Sequence, residues 1–462
     1  MTHAEKFDTA RWQARFDELR AANKVPGASL AILVDGEIHE LASGVLHRGT
    51  GVEATTDSLF QVGSITKVHT ATLVMRLADE GRLDVDAPVR AVLPDFAVAD
   101  EKASATITVR QLLSHTSGLT CDFTHDTGRG DDCLAKYVEA AREVALDLEP
   151  GTGSSYSSVG YNVLGRIVEV LTGLTWDQAL QDLLCAPLGL AHTVSLPEDV
   201  LRFRASMGHL AGPDGEPEPA PSWNPLPRSS APYGGQLCST AADLVRLTRM
   251  HLDGGVAADG TRVMSAAATE RMRERVVDSP DKWTVFADGW GLGWTLYDWN
   301  GVPGFGHDGA TIGHYGFLRA EPVSGLVVAL LTNGGGSRNL YTTLFAELLA
   351  EFAGATPPPP FAPPAEPPAV DMAPLVGVYQ REGVRITISV EDGRPHVVYA
   401  FIDGMAGLSD PLESDMIPVS ETVFAAGGAG SFSEDWMPVI FATLADGSTA
   451  CYVGMRATPK VA

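Results

Sequence analysis

The chain has 462 residues, 45% of them hydrophobic, a formal net charge of −25 and a pI near 4.8. That length exceeds one ordinary core and predicts a large domain with a smaller one beside it, while the negative charge argues against nucleic acid and anionic membrane as partners. No stretch reaches the roughly 18 consecutive apolar residues of a membrane span, the five cysteines (Cys121, Cys133, Cys185, Cys238, Cys451) form no CxxC pair, and the twelve histidines show no metal-ligand spacing, so reduced thiols and no metal or other cofactor are expected.

The opening stretch, "MTHAEKFDTARWQARFDELRAANKVPG", is charged and amphipathic and lacks the apolar middle and cleavage site of a secretory signal, which predicts a cytoplasmic protein. "GASLAILVDGEIHELASGV" reads as two strands around an Asp35-Gly36 turn. A helix follows in "VGSITKVHTATLVMRLADEG", with Gly81 at its end. From about 108 to 250 the periodicity is mainly helical, with Thr240 as an N-cap. Strands return after 283 in "GWGLGWTLYDW", "HYGFLRAEP" and "GLVVALLTN", and "LYTTLFAELLAEFAG" closes the run as a helix. Strands at both ends of a helical middle predict an α/β sandwich over residues 1–355, an antiparallel sheet flanked by helices with an all-helical region attached. "ATPPPPFAPPAEPPA" predicts a stiff linker at 356–369, and the alternating pattern of 370–462 a small antiparallel β-barrel domain.

Ser64 and Lys67 stand three positions apart at the head of the first internal helix, so they share a face. A helix start offers unpaired N–H groups and a favourable field for negative charge, and a neutral lysine there can take the hydroxyl proton. A lysine of ordinary pKa is protonated at neutral pH, so this chemistry requires a desolvated or cation-flanked amine. By itself the spacing also fits an unremarkable surface pair. Two further stretches bear on it: "GSSYSSVGYNVLGRIVEVLTG" carries Tyr156 and Ser158 ahead of an amphipathic helix, and "GFGHDGATIGHYG" sets His307, Asp308 and Gly309 among glycines that let backbone approach a substrate.

These three stretches, with "LLSHTSGL", resemble the penicillin-recognising serine enzymes: class C β-lactamases, DD-peptidases, esterases and D-aminopeptidases. The resemblance runs from about residue 25 to 350. It implies a β-lactamase-like fold, Ser64 as the nucleophile of an acyl-enzyme, Lys67 as its base, Tyr156 as a proton relay, and His307 and Gly309 as the third motif on the strand beside the substrate. It also implies an oxyanion hole from the N–H groups of Ser64 and Ala310. Ser158 stands where the family commonly has asparagine, and His307-Asp308 leaves the site without the fixed cation that lactamases use for a carboxylate, which argues against β-lactamase activity.

Among relatives the chain looks most like the stand-alone penicillin-binding-protein-type thioesterases of nonribosomal peptide pathways, which carry a lipocalin-like domain after the catalytic one. This implies head-to-tail cyclisation of a peptidyl thioester with a D-residue at the acyl end, with a peptidyl carrier protein as a possible partner. In that reading Gly235 and Arg456 contact the peptide; otherwise they are a turn glycine and a surface arginine. The alternatives are a cytoplasmic esterase or D-aminopeptidase and, in another class, a penicillin sensor that is acylated without turnover. "DTGRGDDC" is acidic and glycine-bearing but lacks calcium-loop spacing and reads as a solvated turn.

Overall fold

Gly27–Val34 is buried along its whole length and runs through a nine-stranded antiparallel sheet. The structure, a computed structural model, describes residues 7–461 except 122, 408 and 429–435. Asp35 and Gly36, at φ 50° and 80°, turn this strand into Glu37–His47, the left-handed pair that Asp-Gly favours. On its other side lies Leu326–Thr332, with Ala31 opposite Ala329. Tyr315–Glu321, Val302–Ala310 and Thr295–Trp299 then extend the sheet outward. Late strands thus complete a sheet begun near the start, as the sequence predicts.

Alternation along Gly27–Val34 divides the two faces. Leu30 and Ile32 pack with Val328 and Leu330 under Trp12, Phe16, Leu344 and Phe345, from the helices Thr9–Ala22 and Ser337–Phe352. Ala31 and Leu33 belong to the opposite core, which also holds Val68 and Val74 of Thr66–Asp79 and Leu244 and Val245 of Ala241–Leu252. Thr240 caps the latter helix by accepting from Asp243 N. Val159–Thr172 contributes Tyr161, Leu164 and Ile167 to the same core and ends on Gly173 at φ 74°.

Residues 356–371 contain neither helix nor strand, and Phe361 rests on Trp283 with ring centroids 5.0 Å apart. Beyond them, eight strands from Gly377–Arg381 to Arg456–Pro459 pair in chain order, and Tyr379 bridges Lys460, so the two edges meet in a nearly closed antiparallel barrel. Tyr379, Ile386, Val397, Val439 and Phe441 fill its interior.

This β domain docks on the α/β sandwich through Ile440, Leu444, Tyr452 and Ala457, which pack around Leu148. Its last hairpin turns at Gly454 and Met455, at φ 60° and 68°. There Met455 N donates to Asp281 Oδ2 (3.0 Å), Tyr156 N donates to Met455 O (3.1 Å), and Ala457 N donates to Ser155 Oγ (3.1 Å). Among the described residues no helix is long and apolar enough to cross a membrane.

Candidate active site

Ser64 lies in the 3₁₀ turn Gly63–Ile65 that leads into Thr66–Asp79, so the nucleophile candidate sits just before the α-helix rather than within it. Backbone from the Val302–Ala310 strand is pressed against this turn. A Cβ on Gly309 would stand 2.0 Å from Val62 O and 3.0 Å from Ser64 N, and one on Gly63 (φ 52°) would stand 2.5 Å from Ala310 N. Only glycine permits that approach, which brings the N–H-bearing backbone of Ser64 and Ala310 together.

Lys67 is wholly buried one turn on. Its Nζ lies 3.3 Å from Ser64 Oγ and donates to Tyr233 O at 2.8 Å. The rings of Tyr156, Tyr233 and Tyr161 surround it at 4.7, 5.2 and 5.6 Å from their centroids. Burial, with Arg456 adding repulsion against an opposing pull from Cys121, lowers the pKa of this amine to about 7. Lys67 therefore meets the requirement the sequence set: an amine that is substantially neutral near physiological pH.

Burial pushes the Tyr156 pKa well above the ordinary tyrosine value, with nearby Ser64 opposing it, so it stays a phenol. His307 Nδ1 is 2.6 Å from the Asp308 carbonyl oxygen. A carbonyl only accepts, so Nδ1 holds the proton and Nε2 carries a lone pair. Burial first, then the charge of Lys67, lowers the His307 pKa to about 3, so the third motif carries a neutral acceptor and no cation. Asp308 pairs with the fully buried Arg319.

The remaining residues predicted from the sequence divide. Arg456 stands at the site: its guanidinium lies over the Tyr156 ring, 5.6 Å from the centroid, and Nη1 donates to Gly454 O at 2.9 Å. Ser158 occupies the N-cap of Val159–Thr172 without a side-chain capping bond, and its Oγ is 3.4 Å from Cys121 Sγ. Gly235 is packed away, with a Cβ position 1.7 Å from Ser230 Oγ and a carbonyl that accepts from Asn224 Nδ2. Its neighbour Gly234 is the one that abuts Gly63 and Ser64. In the 126–133 turn, Asp131 and Asp132 pair with Arg228 and Lys136, and among the described residues no cluster of three metal-ligating side chains occurs.

Three neighbours of the site were not singled out as site residues from the sequence. Trp290 packs beside Tyr156 and His307, with centroids 5.6 and 5.8 Å away. His115 lies against Tyr156 at 4.5 Å, and Tyr233 supplies the carbonyl that anchors Lys67. "LLSHTSGL" flagged His115 as part of a pattern, whereas nothing in the local sequence marks Trp290 or Tyr233.

Residues 12–351 match the family described as Beta-lactamase. Penicillin-binding protein 4 of Amycolatopsis lactamdurans is 60% identical over 82% of this chain and 99% of its own length. Among solved structures, SurE superposes with a TM-score of 0.79 at 27% identity, covering 98% of this chain and 99% of that one. A second structure of it, with D-Leu, gives 0.77. A D-stereospecific amidohydrolase from Streptomyces sp. gives 0.58 at 26% identity over 76% of this chain and 100% of its own.

Proposed function

The chain belongs to the β-lactamase family of serine hydrolases, and from that premise we propose that it cleaves peptide or ester acyl donors through an acyl-enzyme on Ser64, with a D-configured residue at the acyl position. The observation that carries this reading is the buried Lys67 amine, 3.3 Å from Ser64 Oγ and with its pKa lowered to about 7. In acylation, Ser64 Oγ bonds to the substrate carbonyl carbon while its proton passes to Lys67 Nζ. The Ser64 and Ala310 N–H groups face the developing oxyanion. As the C–N or C–O bond breaks, the proton reaches the leaving group through the Tyr156 hydroxyl, and the amine is neutral again. Deacylation runs the same path with water as the nucleophile, and His307 Nε2 is an acceptor available to orient it.

Support for a D-residue comes from the similarity to SurE, of which one structure holds D-Leu, and to a D-stereospecific amidohydrolase. A second reading replaces water by the substrate's own amine, so that a peptidyl thioester, delivered by a carrier protein, leaves as a macrocycle. What favours it is the β-domain hairpin, which brings Met455 and Arg456 to Tyr156. The name of the Amycolatopsis relative supports acylation by penicillin, and a sensor would stop there.

One experiment separates the three. The protein and Ser64→Ala are given a peptidyl thioester ending in a D-residue, its L-epimer and a labelled penicillin, and products and protein are weighed. Release of thiol with gain of water identifies the hydrolase, and loss of thiol without water identifies the cyclase. A persistent adduct without turnover of any donor identifies the sensor. An adduct of equal yield on Ser64→Ala would refute all three, and equal rates for the two epimers would refute the D-preference.

A further inference from the structure

We propose that His115 is a positioning residue for Tyr156, gripping the tyrosine's backbone on both flanks and its ring from one side. This rests on the reading of Tyr156 as the proton relay. Three successive N–H groups carry the argument: Ser155 N donates to His115 O (2.9 Å), Tyr156 N to Met455 O (3.1 Å) and Ser157 N to His115 Nδ1 (3.1 Å). Residues 154–157 belong to no helix or strand, so these bonds replace the regular ladder that would otherwise fix Tyr156. The imidazole lies 4.5 Å from the Tyr156 ring at 34°, and Trp290 meets the imidazole nearly edge-on at 4.6 Å and 74°.

The chemistry selects the residue. A ring nitrogen that accepts from Ser157 N–H must carry a lone pair, so the His115 proton sits on Nε2. Imidazolium would set an N–H against the Ser157 N–H. Burial, with Lys67, His307 and Arg456 adding to it, keeps the ring neutral. The backbone adds a second condition: His115 has φ 59°, a region where histidine, asparagine and aspartate are enriched. Asparagine satisfies both conditions, since it tolerates this backbone and can offer an amide oxygen close to where Nδ1 stands. Phenylalanine keeps the ring and loses the acceptor.

The test is a double-mutant cycle on acylation by an activated D-aminoacyl ester, using His115→Phe, His115→Asn, Tyr156→Phe and the double variant His115→Phe/Tyr156→Phe. His115→Phe is expected to lower kcat about 10- to 100-fold with KM within about twofold, the scale of a small misplacement of a reacting group. His115→Asn is expected to recover most of that loss. The double variant is expected to match Tyr156→Phe alone, because His115 acts through the tyrosine. Additive losses, or an asparagine variant as slow as phenylalanine, would overturn the inference. If His115→Phe does not fold, His115→Asn is compared with His115→Ala in the same cycle, and equal rates for those two overturn it. Ser64→Ala keeps the two readings apart. Persistence of the acyl adduct there refutes the proposed function, whereas its loss, beside wild-type rates for every His115 variant, refutes the positioning role alone.

Discussion

Replacing Lys67 by methionine should abolish acylation and yet stabilise the protein, with a pH dependence that identifies the cause. A buried amine whose pKa falls from 10.5 to about 7 is disfavoured in the folded state by on the order of 5 kcal/mol below pH 7, where it is protonated in both states. Between pH 7 and 10.5 the unfolded chain holds the proton that the folded one has lost, so wild-type stability rises with pH across that window. Methionine removes the penalty but leaves Tyr233 O without the 2.8 Å donor it has in Lys67, at a cost of about 1–3 kcal/mol. Lys67→Met should thus be more stable than wild type by about 2–4 kcal/mol at pH 6, lose that advantage near pH 9, and be less stable near pH 10. Urea unfolding of both proteins from pH 6 to 10 measures it. A difference independent of pH would show that Lys67 is not desolvated as the geometry requires. In the same window wild-type acylation should rise about tenfold from pH 6 to 8 and then level off, and a profile still climbing at pH 9 would refute Lys67 as a base with a pKa near 7.

Gly309→Ala should reduce acylation at least 100-fold, because its Cβ would stand 2.0 Å from Val62 O and must push Ala310 away from the Ser64 turn; burst kinetics with an activated ester measure this, and a wild-type burst would show that the approach is not needed. Arg456→Ala should shift the lower limb of the acylation profile upward in pH, since its charge helps to hold Lys67 neutral, and should raise KM for a long peptidyl donor more than for a small ester; an unmoved limb with equal KM changes would return Arg456 to a structural role. Asp281→Ala should cost about 2–4 kcal/mol of stability, because its buried carboxylate accepts from Trp283 N, Thr284 N, Thr284 Oγ1 and, across the domains, Met455 N; denaturant unfolding with a midpoint like wild type would contradict this.

Local rules made parts of this molecule readable before any coordinates. Asp35-Gly36 announced its hairpin because that turn needs left-handed backbone at both positions, and Thr240 announced its helix because a hydroxyl there satisfies an open N–H. Ser64 and Lys67 were legible as a pair because a helical repeat brings them together within a few residues. The environment that gives the pair its chemistry was not legible, since Tyr233 and Tyr161 close around Lys67 only through tertiary packing. Trp290, far along the chain, reaches Tyr156 only when the sheet assembles. The choice between Gly234 and Gly235 turns on which of two adjacent residues faces Ser64, a difference that composition does not encode.

The two histidines beside Tyr156 show why the neutral state of Lys67 is consistent with the rest of the pocket. His307 donates its Nδ1–H to a carbonyl oxygen and presents a lone pair at Nε2, whereas His115 accepts from an N–H at Nδ1 and keeps its proton at Nε2. Both rings are buried, and Lys67 lowers the pKa of each. A proton on either would set one more charge beside the amine, so the same desolvation that lowers the Lys67 pKa keeps both imidazoles uncharged. The positive charge that bears on Lys67 comes instead from Arg456, on the β-domain hairpin. The hairpin is held by Asp281 and in turn accepts from Tyr156 N. Docking of the β domain therefore acts on the amine's charge and on the placement of Tyr156 at once, which makes the second domain part of the pocket rather than an appendage to it.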